Sequence, residues 1–288
     1  MTSIYRIPGY VLLLMGAFFL SWGGLLIREW EGSDIWQILF WRSFFFNFTI
    51  VLFLHLIYKQ EAFSILKKSG FPGVLGGVAM AIGFTAYVFA MSTTTVANVL
   101  FIISTQTIWL ALFGYLFLKE KISLKTFLSI ILAMIGILVM VGGSLSTGSL
   151  FGNLVALFIP INFAFLILLI RKYSNLDLIP ALFYGGLIIT IVAFFMSETI
   201  LISGHNLLVG FLLGTFQHAF GFICIVIAAR STPAVVVGLL MLTETLLGPF
   251  WVWIFLNEIP PLSVFIGGSI IILAVILKAL EQRYSRSS

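Results

Sequence analysis

Ten apolar runs, each about as long as a membrane is thick, follow one another along this chain with almost nothing between them. They cover Gly9–Ile27, Ile35–Ile57, Gly70–Met91, Thr94–Phe117, Leu124–Val141, Gly148–Ile170, Leu178–Leu201, Leu207–Ala229, Pro233–Leu256 and Pro261–Leu280. A hydrocarbon core about 30 Å thick takes about 20 residues of helix. The expectation is an all-α integral membrane protein with ten transmembrane helices. Composition agrees, since 61% of the 288 residues are hydrophobic and 9% are charged, against about 25% charged in a soluble domain. The longest loop, Tyr58–Ser69, is too short to fold alone. A cleavable leader is not expected, because Gly9–Ile27 has full span length and runs into Arg28 and Glu29 rather than a small-residue cleavage site.

Loop charges set the orientation, because Lys and Arg accumulate on cytoplasmic loops. With ten spans, both termini share a face with alternate loops. That face collects Arg6, Lys59, Lys67, Lys68, Lys119, Lys121, Lys125, Arg171, Lys172, Arg230, Lys278, Arg283 and Arg286. The opposite face has Arg28, and Arg42 lies inside a span. Thirteen of the fifteen basic residues thus fall on one side, which predicts cytoplasmic termini in a multi-pass protein of the inner (cytoplasmic) membrane. The pI near 9.4 therefore reads as orientation and contact with anionic lipid of the bilayer, with no nucleic-acid partner. The lone cysteine, Cys224, excludes a disulfide framework and a Cys metal site.

The chain also repeats itself. Leu25–Trp41 (LLIREWEGSDIWQILFW) lies over Leu168–Tyr184 (LLIRKYSNLDLIPALFY), sharing Leu-Ile-Arg, an Asp six residues after the Arg, and a Leu-Phe-aromatic triplet. Thr105–Glu120 (TQTIWLALFGYLFLKE) lies over Thr243–Glu258 (TETLLGPFWVWIFLNE), sharing Thr-x-Thr, Phe-Leu and the terminal Glu. Five runs in each half are an odd number, so the second copy enters the membrane from the opposite side. The expected domains are two inverted five-helix repeats, residues 1–143 and 148–288. Inverted repeats characterise transporters whose site lies near midplane between the halves.

Several motifs together resemble a known family, the drug/metabolite transporter superfamily in its ten-helix EamA-type branch. They are Ser21-Trp22-Gly23 in the first helix, an Arg in the second (Phe40-Trp41-Arg42), and an acidic residue closing the fourth helix of each half, followed by a Gly-spaced fifth. The resemblance covers nearly the whole chain. It implies transport of small metabolites, often efflux. The family often has Pro in its fourth helix, where this chain has Thr107 and Thr245; Pro249 is the residue expected to supply the break instead.

Glu244 is the most informative single residue. A carboxylate at the centre of a spanning helix costs about 2.5–3.5 kcal/mol on insertion scales, and within three residues its only polar neighbours are Thr243 and Thr245. A protonated carboxyl serving only helix packing is the bland reading. A proton-coupling or substrate-binding carboxylate facing an internal site is the functional one, and intramembrane ionisable residues favour it. Gln106 occupies the matching position in the first half. His218 lies at similar depth in the eighth helix, where it could be a packed core residue or a relay partner. Arg42, about 10 Å into the second helix at 1.5 Å per residue, could snorkel outward, pair with Glu244, or clamp a carboxylate with its planar fork. Trp22, Trp41, Trp109 and Tyr87 lie deeper than an interfacial belt and are candidates to line a pocket. Glu120 and Glu258 end their helices at opposite faces, as gating or structural contacts.

No phosphate loop, HExxH, cysteine cluster or nucleophile elbow is present, so neither enzyme chemistry nor a metal or cofactor is expected. The leading expectation is a secondary active transporter of small polar metabolites such as amino acids, coupled to protons through Glu244, with efflux favoured. One alternative makes Glu244 the counter-ion of a cationic or quaternary-ammonium substrate held by aromatic walls. Another is a membrane-embedded enzyme or scaffold with a transporter-like fold.

Overall fold

The computed structural model describes residues 6–32, 34–94, 96–141, 149–256 and 262–285, and all the regular secondary structure among them is helical. The first apolar run forms α1 (Gly9–Leu20) and α2 (Gly23–Arg28), parted by a turn at Ser21 and Trp22. The next is α3 (Ile35–Tyr58), capped by the Asp34 carboxylate, which accepts from the Trp36 backbone N–H at 2.9 Å. In α4 (Ala62–Thr93) a kink at Gly70, with φ +52°, separates a short leading segment from the long helix. Glycine takes that left-handed conformation without steric cost, and Pro72 follows in the first turn, where its missing N–H goes unused.

The rest of the first half comprises α5 (Val96–Ser104), α6 (Gln106–Leu118) and α7 (Leu124–Val141). The second half comprises α8 (Leu150–Ala156), α9 (Phe158–Lys172), α10 (Ile179–Met196), α11 (Gly204–Phe211), a π-helical stretch at Leu212–Ala219, α12 (Phe220–Ala229), α13 (Ala234–Leu256) and α14 (Leu262–Ser285). Ser149 and Ser203 cap α8 and α11 through their hydroxyls. The break expected at Pro249 does not occur: α13 runs on through it. The interruption lies in the first half instead, at Thr105 between α5 and α6.

Among the described residues, seven helical stretches are long and apolar enough to cross a membrane, and Leu124–Val139 and Phe265–Leu277 are shorter apolar helices. The longest stretch, Ile35–Thr93, contains both α3 and α4. The helices are two-faced. On α3, Phe44, Phe48, Leu52 and Leu56 recur every fourth residue and are exposed, while Phe46, Ile50 and Leu54 are buried. Such an exposed apolar stripe suits hydrocarbon as solvent.

The halves pack reciprocally. In the first half α1 lies against α12 and α13 of the second; in the second half α9 lies against α4 and α6 of the first. Likewise α3 packs on α11 and the π-helical stretch, while α10 packs on α4. The pairs α3–α10, α6–α13 and α7–α14 complete the arrangement. Exchanging the two halves leaves this contact pattern unchanged, which is what a twofold relation between them requires.

Candidate substrate site

Between the halves lies a cavity of about 60 Å³ walled by α1, α3, α4, α5, α6, α9, the π-helical stretch, α12 and α13. Most of its wall is apolar, from residues such as Met80, Phe84, Phe163, Phe222 and Met241. Five residues singled out from sequence meet there: Arg42, Tyr87, Gln106, His218 and Glu244. Apart from Tyr87, the contribution of α4 and that of α9 were not legible in the sequence, because the residues they supply are mostly apolar and look like ordinary packing.

Arg42 is 3% exposed, and its Nη2 donates to Nδ1 of His218 at 2.6 Å. A guanidinium can only donate, so Nδ1 is the accepting nitrogen and the imidazole proton sits on Nε2. The guanidinium carbon also lies 5.2 Å from the Tyr87 ring centroid and 5.6 Å from that of Phe84, within cation–π range. The His218 ring is boxed by Phe46, Phe84 and Phe222 at centroid distances of 5.1, 3.7 and 4.9 Å. Two donor-bearing atoms of this pair, Arg42 Nε and His218 Nε2, are enclosed and have no hydrogen-bond partner among the described residues.

Glu244, 9% exposed, reaches the same cavity from α13. Among the described residues no hydrogen bond or ion pair engages its carboxylate, yet it lies within electrostatic range of Arg42 and Tyr87. The cavity therefore brings a guanidinium and a carboxyl group together within a largely apolar wall.

Local backbone features position these groups. The π-helical stretch carries Gln217 and His218 as neighbours. Its wider winding turns the chain less per residue than an α-helix does, so both side chains reach one cavity; π segments of this kind concentrate at functional sites. Gly214 permits the stretch to lie on α3: a Cβ there would sit 2.4 Å from the Arg42 carbonyl oxygen and 2.7 Å from Cβ of Phe45. Gly23 plays the same part beside the α1–α2 turn, where a Cβ would sit 2.6 Å from the Tyr87 hydroxyl and 3.1 Å from Gln217 Nε2.

Other candidates lie elsewhere. Trp22 stacks on Trp251 at 4.4 Å, and Trp251 Nε1 donates to the Ser21 hydroxyl at 2.7 Å. Trp41 donates to the Ile200 carbonyl at 2.9 Å, and Trp109 packs on Phe113. None of these three indoles is among the cavity-lining residues. Glu120 Oε1 accepts from Arg171 Nε and Nη2 at 2.9 and 2.6 Å, while Oε2 accepts from the Ala234 backbone N–H at 2.9 Å. It thereby ties the end of α6 to the end of α9 and the start of α13. Pro249 lies inside α13, and Glu258 lies outside the described residues.

A helical membrane protein of two packed halves around an internal cavity that holds an arginine and a glutamate is, in class, a multi-pass membrane transporter. The EamA-like transporter family matches residues 7–142 and again residues 147–280, and the chain belongs to that family. An uncharacterised transporter of Clostridium kluyveri is 25% identical over 93% of this chain and 92% of its own length. Another, from Methanothermobacter thermautotrophicus, is 26% identical over 65% of this chain and 57% of its own length. In fold, a solved crystal structure aligns with a TM-score of 0.79 at 14% identity, covering 96% of this chain and 98% of the other.

Proposed function

We propose that this protein is a proton-coupled secondary transporter of small amino-acid-like zwitterions in the cytoplasmic membrane, with ten crossings in two inverted repeats and both termini in the cytoplasm. One observation carries the reading: Arg42 and Glu244, opposite charges, line a single cavity that also has apolar walls. A zwitterion with a small apolar body matches both poles. Arg42, steadied by His218, takes the carboxylate, for which its planar fork is suited. Glu244 takes the ammonium when ionised and carries a proton when the site is empty of substrate, so that substrate and proton compete for one carboxylate. Efflux is the favoured direction, on family grounds. The rival reading, a purely cationic substrate, fits Glu244 and the aromatic walls but sets a buried guanidinium beside the cargo. That repulsion disfavours it.

The experiment is flux of radiolabelled amino acids into proteoliposomes with and without an imposed pH gradient. Accumulation that needs the gradient supports the proposal. Binding without gradient-driven accumulation removes the proton coupling, and binding of quaternary ammonium ions in preference to amino acids establishes the rival.

A further inference from the structure

Gln217 does not figure in the charge pairing described above, yet it lines the cavity and is 2% exposed. Its Nε2 donates to the carbonyl oxygen of Leu20 at 3.2 Å. Leu20 is the last residue of α1, immediately before the turn at Ser21 and Trp22, where the interrupted helix passes its carbonyl to a side chain. A carbonyl can only accept. Leu20 therefore selects the NH₂ end of the amide and fixes its orientation, which an isolated carboxamide does not have. Gly23 leaves room for that end, since a Cβ there would sit 3.1 Å from Nε2. The amide's other end, Oε1, is enclosed and has no hydrogen-bond partner among the described residues.

We infer that Gln217 is a specificity-determining residue: its Oε1, oriented by the Leu20 carbonyl, accepts a hydrogen bond from an N–H of the substrate's ammonium. This rests on the zwitterion reading and deepens it. Glu244 attracts any cation by charge, including one with no N–H. A neutral carbonyl attracts chiefly a group that can donate. Together they select primary and secondary amines over quaternary ones, which charge alone does not do. A buried acceptor left unpaired by a fully methylated nitrogen is the physical source of the discrimination.

The test is equilibrium binding of L-leucine and of its N,N,N-trimethyl derivative to purified protein, wild type and Gln217→Met. Methionine keeps the length and shape of the side chain but removes the carbonyl acceptor. Expected is a loss of leucine affinity of about tenfold with the affinity for the trimethyl compound nearly unchanged, so that the ratio between the two falls. An equal loss for both compounds means that Gln217 only holds α1 in place, and no loss for either means that Oε1 touches no substrate; each result overturns the assignment. If Gln217→Met does not fold, the wild-type ratio decides: equal affinities for leucine and its trimethyl derivative overturn it. Failure of wild-type protein to bind either compound overturns the zwitterion reading itself, a result distinct from the others.

Discussion

Arg42 Nη2 and His218 Nδ1 lie 2.6 Å apart, and both side chains are buried in the wall of one cavity. The bond joins α3 of the first half to the π-helical stretch of the second, so this pairing exists only when the two halves are docked. Arg42→Lys is expected to weaken binding of a carboxylate-bearing substrate by about tenfold or more, because an ammonium cannot reproduce the two-pronged donor geometry. His218→Phe fits the surrounding aromatic box but removes the acceptor, and is expected to weaken binding as well by releasing the guanidinium. Titration calorimetry measures both. Unchanged affinity in Arg42→Lys removes the clamp role.

Glu244→Gln is nearly isosteric and is expected to preserve folding, as the amide of Gln106 lines the same cavity without disrupting it. The variant should lose accumulation driven by a pH gradient while retaining part of its binding or substrate exchange. Proteoliposomes loaded with substrate, with and without a gradient, separate the two activities. Concentrative uptake by the variant under a pH gradient alone transfers the coupling role away from Glu244.

Glu120 links three helix ends by three hydrogen bonds, two of them from Arg171. Glu120→Ala and Arg171→Ala are each expected to destabilise the protein by about 1–3 kcal/mol. A double-mutant cycle should give a coupling of about 1 kcal/mol, moderate because both side chains are partly exposed, at 15% and 21%. Thermal unfolding in detergent reads these values, and strict additivity would show that the pair contributes nothing as a pair.

Gly214→Ala places a methyl where the Arg42 carbonyl oxygen stands. Backbone atoms of α3 at Arg42 and Phe46 leave it no room, so the π-helical stretch must move off α3 and lengthen the Arg42–His218 bond. The expected result is reduced stability together with reduced substrate affinity. A variant with lowered stability but wild-type affinity would separate helix packing from the site.

Topology has its own test. In a Cys224→Ala background, single cysteines at Thr2→Cys and Ser146→Cys are expected to react with a membrane-impermeant maleimide from opposite faces. Labelling from the same face overturns the arrangement of five crossings per half.

Much of this protein was settled by sequence alone, since lipid is an unforgiving solvent. Runs of span length must become helices, which is why Ile35–Tyr58 and Ile179–Met196 are found where their apolar residues place them. The recurrence of Leu-Ile-Arg and of Thr-x-Thr likewise marked two related halves, and the family matches the chain twice. Ionisable residues inside a span are rare enough that Arg42, His218 and Glu244 stood out one by one. What sequence could not decide was which of these groups meet, because their positions are fixed by helices far apart in the chain. Arg42 and His218 are 176 residues apart, and their bond depends on close backbone contact at Gly214 and on the winding of the π-helical stretch. The same holds in reverse for Trp22, Trp41 and Trp109, whose depth suggested a pocket while the docking of their segments leaves them out of the cavity wall. Depth is a property of the chain read in one dimension. Facing depends on how helices dock, and only the tertiary structure determines it.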